Sequence, residues 1–219
     1  MKNNLQLINL TAQDQVAQLI SQKLMSLLIK HSRILFLVPG GSAAPVAALA
    51  LSSLPLEARS RISVLLTDER YGVPGHPEAN SNHYFDLAGG SFIPVLDGSS
   101  LEETVNNYEK NLQQEFSQTS YRLGLFGLGA DGHTAGILPG SPVIKSERLV
   151  ASQLTPTFLR VTVTPFAISQ LDEALIFAHG EEKWSVIKQL FSDLEVVVQP
   201  AQVLTKLKQL TIFSDYQNN

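Results

Sequence analysis

The sequence of 219 residues contains no cysteine. This absence excludes disulfide frameworks, thiol nucleophiles and thiolate metal sites. A chain without disulfides is compatible with a reducing compartment, and we predict a cytoplasmic location.

Charged residues are also scarce. They make up 16% of the chain, against an average of about 25%, and the net charge is −4. Proteins that bind nucleic acids through phosphate groups cluster many lysines and arginines, which this composition does not supply. We therefore predict no nucleic-acid partner and expect any cationic site to be local.

Long hydrophobic runs are missing as well. No apolar run approaches the roughly 18 residues of a membrane span, and the N-terminal MKNNLQLINL lacks the apolar core of a secretory signal. Hydrophobic residues nevertheless make up 44% of the chain, enough for a sizeable core. We predict a single globular domain over residues 1–219, without a membrane segment, as a monomer or a small homo-oligomer.

Apolar runs typical of buried strands alternate with helical patterns along the chain. The predicted strands are 33–38, 61–67, 121–129, 158–164, 173–180 and 210–215. The predicted helices are 11–30, 43–54, 101–116 and 182–191. This alternation predicts an α/β fold with a mainly parallel sheet.

The first predicted helix is amphipathic, and Thr11 is a candidate N-cap. Its apolar face consists of Val16, Leu19, Ile20, Leu24, Leu27 and Leu28. We expect this face to pack on the sheet.

Three loops follow predicted strands, where ligands of parallel sheets bind. The first, Pro39-Gly40-Gly41-Ser42, precedes a helix, so its N–H groups and the helix dipole could hold an anion. It matches neither common nucleotide-binding glycine pattern, and Gly-Gly-Ser is also an ordinary turn. Both interpretations of the loop are open.

The second loop begins with Asp68, Glu69 and Arg70. Such a charge run is usually a solvated surface cluster, but its position at a strand end favours a function. His76 and His83 lie further along among Gly and Pro residues, and we predict that both are exposed turn residues.

The third loop, GLGADGHTAGILPGSP at 127–142, contains His133 beside Asp131. Three interpretations are open: a turn histidine bonded to the backbone, a metal ligand and a general base. Metal binding is the least supported, because Asp131 and His133 supply two ligands at most. A free imidazole has a pKa of about 6.5, which suits a general base, and Asp131 could fix its tautomer.

A serine nucleophile is not indicated, because G-x-S-x-G is absent and Ser42 only partly resembles that motif. Water is the expected nucleophile. Arg160, at the start of a strand, and Lys183, at the start of a helix, are either solvent-exposed cations or part of a site.

Five motifs in order resemble those of the 6-phosphogluconolactonase family. They are PGGS at 39–42, DERYGVPGHPEANSN at 68–82, GLGADGHTAGILPGS at 127–141, LRVTVTP at 159–165 and GEEKW at 180–184. The resemblance spans nearly the whole chain. It implies a modified Rossmann-like fold similar to glucosamine-6-phosphate deaminases, no cofactor, no metal, and hydrolysis of 6-phospho-D-glucono-1,5-lactone in the oxidative pentose phosphate pathway.

Related deaminases have a glutamate shortly after the histidine, where this chain has Leu138, and a tyrosine where it has Arg70. Both differences favour the lactonase. A deaminase-like isomerising enzyme and a non-catalytic sugar-phosphate-binding protein are the alternatives. In one departure from the lactonase pattern, Ala43-Ala44 follow Gly-Gly-Ser in place of a pair such as Thr-Pro.

The resemblance also implies roles for individual residues. His133 would be the base, Asp131 its orienting partner, and Arg70 or N–H groups near Gly132 would stabilise an oxyanion. The phosphate would lie on Gly40, Gly41 and Ser42, with Arg160 and Lys183 as its cations. Asp68 and Asn82 would shape the pocket.

Overall fold

The computed structural model describes residues 4–85, 87 and 91–217. The strands are β1 (Leu5–Asn9), β2 (Ile34–Val38), β3 (Ile62–Leu66), β4 (Asp68–Arg70), β5 (Ser91–Ile93), β6 (Tyr121–Phe126), β7 (Val150–Leu154), β8 (Leu159–Val163), β9 (Glu173–Phe177) and β10 (Gln209–Ser214). The α-helices are α1 (Gln13–Lys30), α2 (Ala44–Ser52), α3 (Leu56–Arg59), α4 (Leu101–Gln118), α5 (Pro165–Ile168) and α6 (Trp184–Leu190).

Seven strands form one parallel sheet, in the order β1-β10-β9-β6-β2-β3-β5. Strands β2, β3 and β9 are buried along their whole lengths, as expected for a sheet covered on both faces. The predicted α/β fold with a mainly parallel sheet is therefore confirmed.

The order β6-β2-β3 determines which loops lie next to one another. Because these strands are adjacent and parallel, their carboxyl ends lie side by side at one edge. Two buried tyrosines anchor that edge: the Tyr84 hydroxyl donates to the carbonyl of Pro39 (2.6 Å), and the Tyr108 hydroxyl donates to the carbonyl of Leu66. The carbonyls at the ends of β2 and β3 are thus paired inside the protein.

A second sheet, absent from the sequence-based prediction, has the antiparallel order β4-β8-β7. Only Thr67 separates β3 from β4, so the chain passes directly from one sheet to the other. The Thr67 N–H donates to Val38, and the Thr67 carbonyl accepts from the N–H of Val163. The predicted strand at 158–164 is confirmed as β8.

This second sheet corrects the interpretation of the charge run as a solvated surface cluster. Asp68 is 3% exposed and Glu69 is not exposed at all, because β4 pairs with β8 under the loop that follows it. His76 is half-buried, with its Nε2 2.9 Å from the carbonyl of Arg70, so its predicted exposure is wrong. His83 is exposed as predicted.

The first helix is confirmed with two corrections. Ala12, not Thr11, is the N-cap, and no side chain caps the helix. Leu19 is 40% exposed, and Ala17 lies on the buried face in its place. Helix α4, by contrast, has a capping box, in which Ser100 and Glu103 bond each other's backbone N–H groups.

Substitution of Leu24 tests the packing of α1. Leu24 is fully buried, so Leu24→Ala is expected to lower the free energy of unfolding by about 2–5 kcal/mol through lost burial and the resulting cavity. The matched change Leu19→Ala should cost less than about 1 kcal/mol, because that side chain is partly in water. Urea denaturation followed by circular dichroism measures both; equal losses would contradict the assigned helix face.

Candidate active site

A cavity of about 220 Å³ opens at the carboxyl ends of β2, β3 and β6. This volume suits a small metabolite, since pockets for drug-sized ligands are roughly 300–1,000 Å³. The cavity is lined by Pro39, Gly40, Gly41, Ser42, Thr67, Asp68, Arg70, Asn80, Gly127, Leu128, His133, Ala135 and Arg160. The three suspected loops therefore meet in one place.

His133 and Asp131 form a close pair at the end of β6. The imidazole Nδ1 lies 2.6 Å from Oδ1 of Asp131, which also accepts the backbone N–H of His133 at 3.0 Å. The His133 side chain is 37% exposed and faces the cavity. A carboxylate at Nδ1 favours the tautomer with its proton there and leaves Nε2 as an acceptor.

The turn around this pair depends on Gly129. A β-carbon at Gly129 would overlap the His133 ring and lie 2.6 Å from Oδ1 of Asp131. The N–H of Gly129 donates to the carbonyl of His133, and the N–H of Gly132 donates to the carbonyl of Gly129, both at 3.0 Å. Gly132 does not line the cavity, and its N–H, a candidate oxyanion donor from the sequence, is already bonded.

The electrostatic state of Asp131 follows from the same contacts. Burial raises the pKa of Asp131, but the hydrogen bonds from His133 and the electrostatic interaction with its ring outweigh this effect and lower the pKa below its ordinary value. Asp131 therefore remains a carboxylate at neutral pH, and it can accept the Nδ1 proton.

The glycine turn lines the same cavity and lies between β2 and α2. Gly41 has a φ of +58°, a conformation that favours glycine, and a 3₁₀ turn over Gly41–Ala43 continues into α2. The N–H groups of Gly41 and Ser42 make no hydrogen bond within the described residues. Ala43 and Ala44 are buried and do not line the cavity, so the departure from the family motif places no side chain of these two residues in it.

Among the described residues, two arginines and one aspartate are the Asp, Glu, Lys and Arg side chains that line the cavity, and together they carry a net charge of +1. Arg160 Nη1 lies 2.6 Å from Oδ2 of Asp68, and Arg70 Nη1 lies 2.8 Å from Oε2 of Glu78. The Arg70 guanidinium also stacks 4.6 Å from the ring centroid of Phe158. In each arginine, only Nη1 is hydrogen-bonded to a side chain or carbonyl within the described ranges.

Asn80 is a site residue that the sequence analysis missed. It is 3% exposed, lines the cavity and donates from Nδ2 to the carbonyl of Asp68 at 2.9 Å. Its side chain covers Gly40, where a β-carbon would overlap the Asn80 amide. The sequence NSN offered two asparagines, and Asn82, the predicted one, is exposed and donates to the carbonyl of His76 instead.

Lys183 is not among the residues that line the cavity. It lies in the 3₁₀ turn Glu181–Lys183 after β9, the strand next to β6 on the other side, so it belongs to the same sheet edge. Asp215 holds this turn by accepting the Gly180 N–H and the Trp184 indole N–H.

Within residues 4–85, 87 and 91–217, no group of three or more His, Asp or Glu side chains is arranged to hold a metal ion. No helix in the same ranges has both the length and the apolar character of a membrane span.

Known proteins resemble the chain in sequence. The 6-phosphogluconolactonase of Rattus norvegicus is 24% identical over 91% of this chain and 85% of its own length. That of Caulobacter vibrioides is 28% identical over 80% of this chain and 81% of its own.

Solved structures resemble it in fold. A 6-phosphogluconolactonase from Shewanella baltica superposes with a TM-score of 0.82 at 18% identity, over 98% of both chains. The enzyme from Thermotoga maritima gives 0.79 at 23% identity, over 96% of this chain and 98% of the other. A family model described as glucosamine-6-phosphate isomerases/6-phosphogluconolactonase matches residues 10–213. The chain therefore belongs to the family of glucosamine-6-phosphate isomerases and 6-phosphogluconolactonases.

Proposed function

We propose that this protein hydrolyses 6-phospho-D-glucono-1,5-lactone to 6-phosphogluconate, with His133 as the general base. The observation that carries the proposal is that His133, which is paired with Asp131, lines the same cavity as Gly41 and Ser42, whose N–H groups are open. The similar proteins named as 6-phosphogluconolactonases support the same substrate.

The chemistry begins at Nε2 of His133. Because Asp131 accepts the proton on Nδ1, Nε2 has the free electron pair that can take a proton from water. The water oxygen then attacks C1 of the lactone and forms a tetrahedral intermediate with a negative oxygen. The bond between C1 and the ring oxygen breaks, and the imidazolium returns its proton to that oxygen.

Arg70 is the proposed partner of the oxyanion. Its guanidinium lines the cavity, is fixed by Glu78 and Phe158, and has nitrogen atoms without a partner in the described part of the chain. A permanent cation that is largely shielded from solvent, as the Arg70 side chain is at 23% exposure, stabilises charge that develops in the transition state. The N–H of Gly132, bonded to Gly129, is not assigned this role.

The other end of the substrate is the phosphate, which we place on the N–H groups of Gly40, Gly41 and Ser42. Arg160 would contribute the nearby positive charge, and Lys183 would approach from the adjacent strand end. Anchoring this group holds C1 near His133, so binding energy far from the reacting atoms lowers the barrier. Asp68 orients Arg160, and Asp131 orients His133.

We further propose that the protein acts in the cytoplasm, in the oxidative pentose phosphate pathway, as a monomer or small homo-oligomer. The lack of cysteine is compatible with that location.

Acid release from freshly prepared 6-phosphogluconolactone tests the function, measured with and without protein because the lactone also opens spontaneously. We expect catalysis by the wild type, and His133→Ala should lower kcat by about 10²–10⁴-fold with little change in KM, the range for loss of a general base. Wild-type turnover in the variant would exclude His133 as the base. Ammonia release from glucosamine 6-phosphate would identify a deaminase instead, and binding of 6-phosphogluconate without any turnover would identify a binding protein.

Gly129→Ala tests the orientation of the base. The added methyl should separate His133 from Asp131, lower kcat about 10²-fold or more and remove the hydrogen-bonded Nδ1 proton signal from the NMR spectrum. In Gly127→Ala the new methyl meets no atom of the described residues within 4 Å, so that signal should persist. An unchanged signal and an unchanged kcat in Gly129→Ala would contradict the claim that the Asp131–His133 hydrogen bond requires glycine at position 129.

Arg160→Ala tests the phosphate end. A charge-assisted hydrogen bond contributes about 1.5–3 kcal/mol, so KM for the phosphorylated lactone should rise about 10- to 100-fold. The unphosphorylated lactone should be much less affected. Because the change leaves Asp68 buried without its cation, the double variant Arg160→Ala/Asp68→Asn serves as the control and should show the same selectivity loss. Equal KM values for wild type and both variants would remove Arg160 from the phosphate site.

A further inference from the structure

Glu69 is a buried carboxylate that the proposed reaction does not use. It is fully buried, it does not line the cavity, and no ion pair of the described residues includes it. Its oxygens accept three backbone N–H groups instead. Oε1 accepts from Arg70 (2.7 Å) and Asn80 (2.6 Å), and Oε2 accepts from Ser81 (2.9 Å).

These bonds close a loop. They join β4 to the 3₁₀ turn Asn80–His83, ten or more residues later, and so fix where the chain returns to the cavity. Burial raises the pKa of Glu69 above its ordinary value, and the three N–H donors limit this rise by stabilising the charged form. The two carboxylate oxygens accept three N–H groups. A glutamine amide has only one accepting oxygen and could not accept all three in this arrangement.

Asn80 transmits this constraint to the glycine turn. Its backbone N–H is held by Glu69, its Nδ2 donates to the carbonyl of Asp68, and its side chain covers Gly40. The side chain therefore contacts both β4 and Gly40, the residue that precedes the open N–H groups of Gly41 and Ser42. A shift of Asn80 would therefore change the packing against Gly40 in the glycine turn.

We propose that Glu69 is a positioning residue for phosphate binding, which acts by holding Asn80 against the glycine turn. The proposal rests on the proposed function, since it takes that turn as the binding site of a phosphorylated sugar acid or lactone. Glu69 acts through Asn80 and does not contact the substrate.

Glu69→Gln is the test, because the shape is kept while an NH₂ group replaces one of the accepting oxygens. The matched control is Glu173→Gln. Glu173 is 1% exposed, and it begins β9 at the opposite edge of the sheet, where it binds Lys23 (2.6 Å) and the Tyr121 hydroxyl (2.9 Å). Both changes remove one buried negative charge, and only one of them lies at the loop.

Calorimetric titration with 6-phosphogluconate gives the first readout. The Kd should rise about tenfold in Glu69→Gln, because a misplaced anchor loses binding geometry, and should stay within about twofold of wild type in Glu173→Gln. Hydrogen exchange at the amides of Asn80 and Ser81 should accelerate only in Glu69→Gln. An unchanged Kd despite faster exchange would overturn the proposal.

The lactone assay gives a readout that a loss of folded protein alone would not change. The ratio of kcat/KM for the phosphorylated over the unphosphorylated lactone should fall about tenfold in Glu69→Gln, whereas a smaller active fraction lowers both values equally. An unchanged ratio would contradict the positioning role. If Glu69→Gln does not fold, Asn80→Ala tests the same link, since it removes the side chain and keeps the backbone N–H; a wild-type Kd and ratio in that variant would overturn the proposal.

The two proposals can fail separately. A wild-type protein that binds 6-phosphogluconate but hydrolyses no lactone would refute the proposed function, and a raised Kd in Glu69→Gln would still support the role of Glu69. Active wild type with unchanged binding and selectivity in Glu69→Gln would refute the inference alone. A wild-type protein that neither binds nor hydrolyses refutes both.

Discussion

The hydrogen bond between Asp131 and His133 is the interaction on which the rest of the site depends. At 2.6 Å from an ionised carboxylate, Nδ1 is committed as a donor, and Nε2 is left to act as a base. The bond requires a turn without a side chain at Gly129 and a fixed strand end, which β6 provides between β2 and β9. The parallel sheet therefore determines where the base lies, and the glycine-rich turn determines how its ring is oriented.

Most strands of the main sheet could be predicted because they are recognisable in the sequence as apolar runs. Strands β2, β3 and β9 are buried on both faces, so their sequences contain little besides hydrophobic residues. Strands β1, β5 and β7 were missed: β5 has only three residues, β1 has no fully buried residue and β7 has one, so none of them forms a long apolar run. The second sheet was missed for another reason: Asp68–Arg70 has the composition of a surface loop, and only pairing with β8 makes it a strand.

The site was predictable where function restricts the sequence locally. The residues at 39–42, 68, 70, 133 and 160 were all singled out, and the structure brings them together around one cavity. Asn80 and Glu69 were not assigned roles, because their contacts join positions ten or more residues apart in a loop without periodicity. The local sequence does not distinguish Asn80 from Asn82. Glu69, whose carboxylate accepts backbone N–H groups, cannot be told from a surface glutamate in the sequence.

The proposed function requires a phosphorylated sugar to lie across the cavity, with its phosphate on the glycine turn and its carbonyl carbon beside the imidazole. A crystal structure of the complex with the product 6-phosphogluconate tests it most directly. We predict phosphate oxygens within about 3 Å of the N–H groups of Gly41 and Ser42, and the carboxylate of the product within hydrogen-bonding distance of Nε2 of His133. A ligand bound in the reverse orientation, or outside this cavity, would contradict the account.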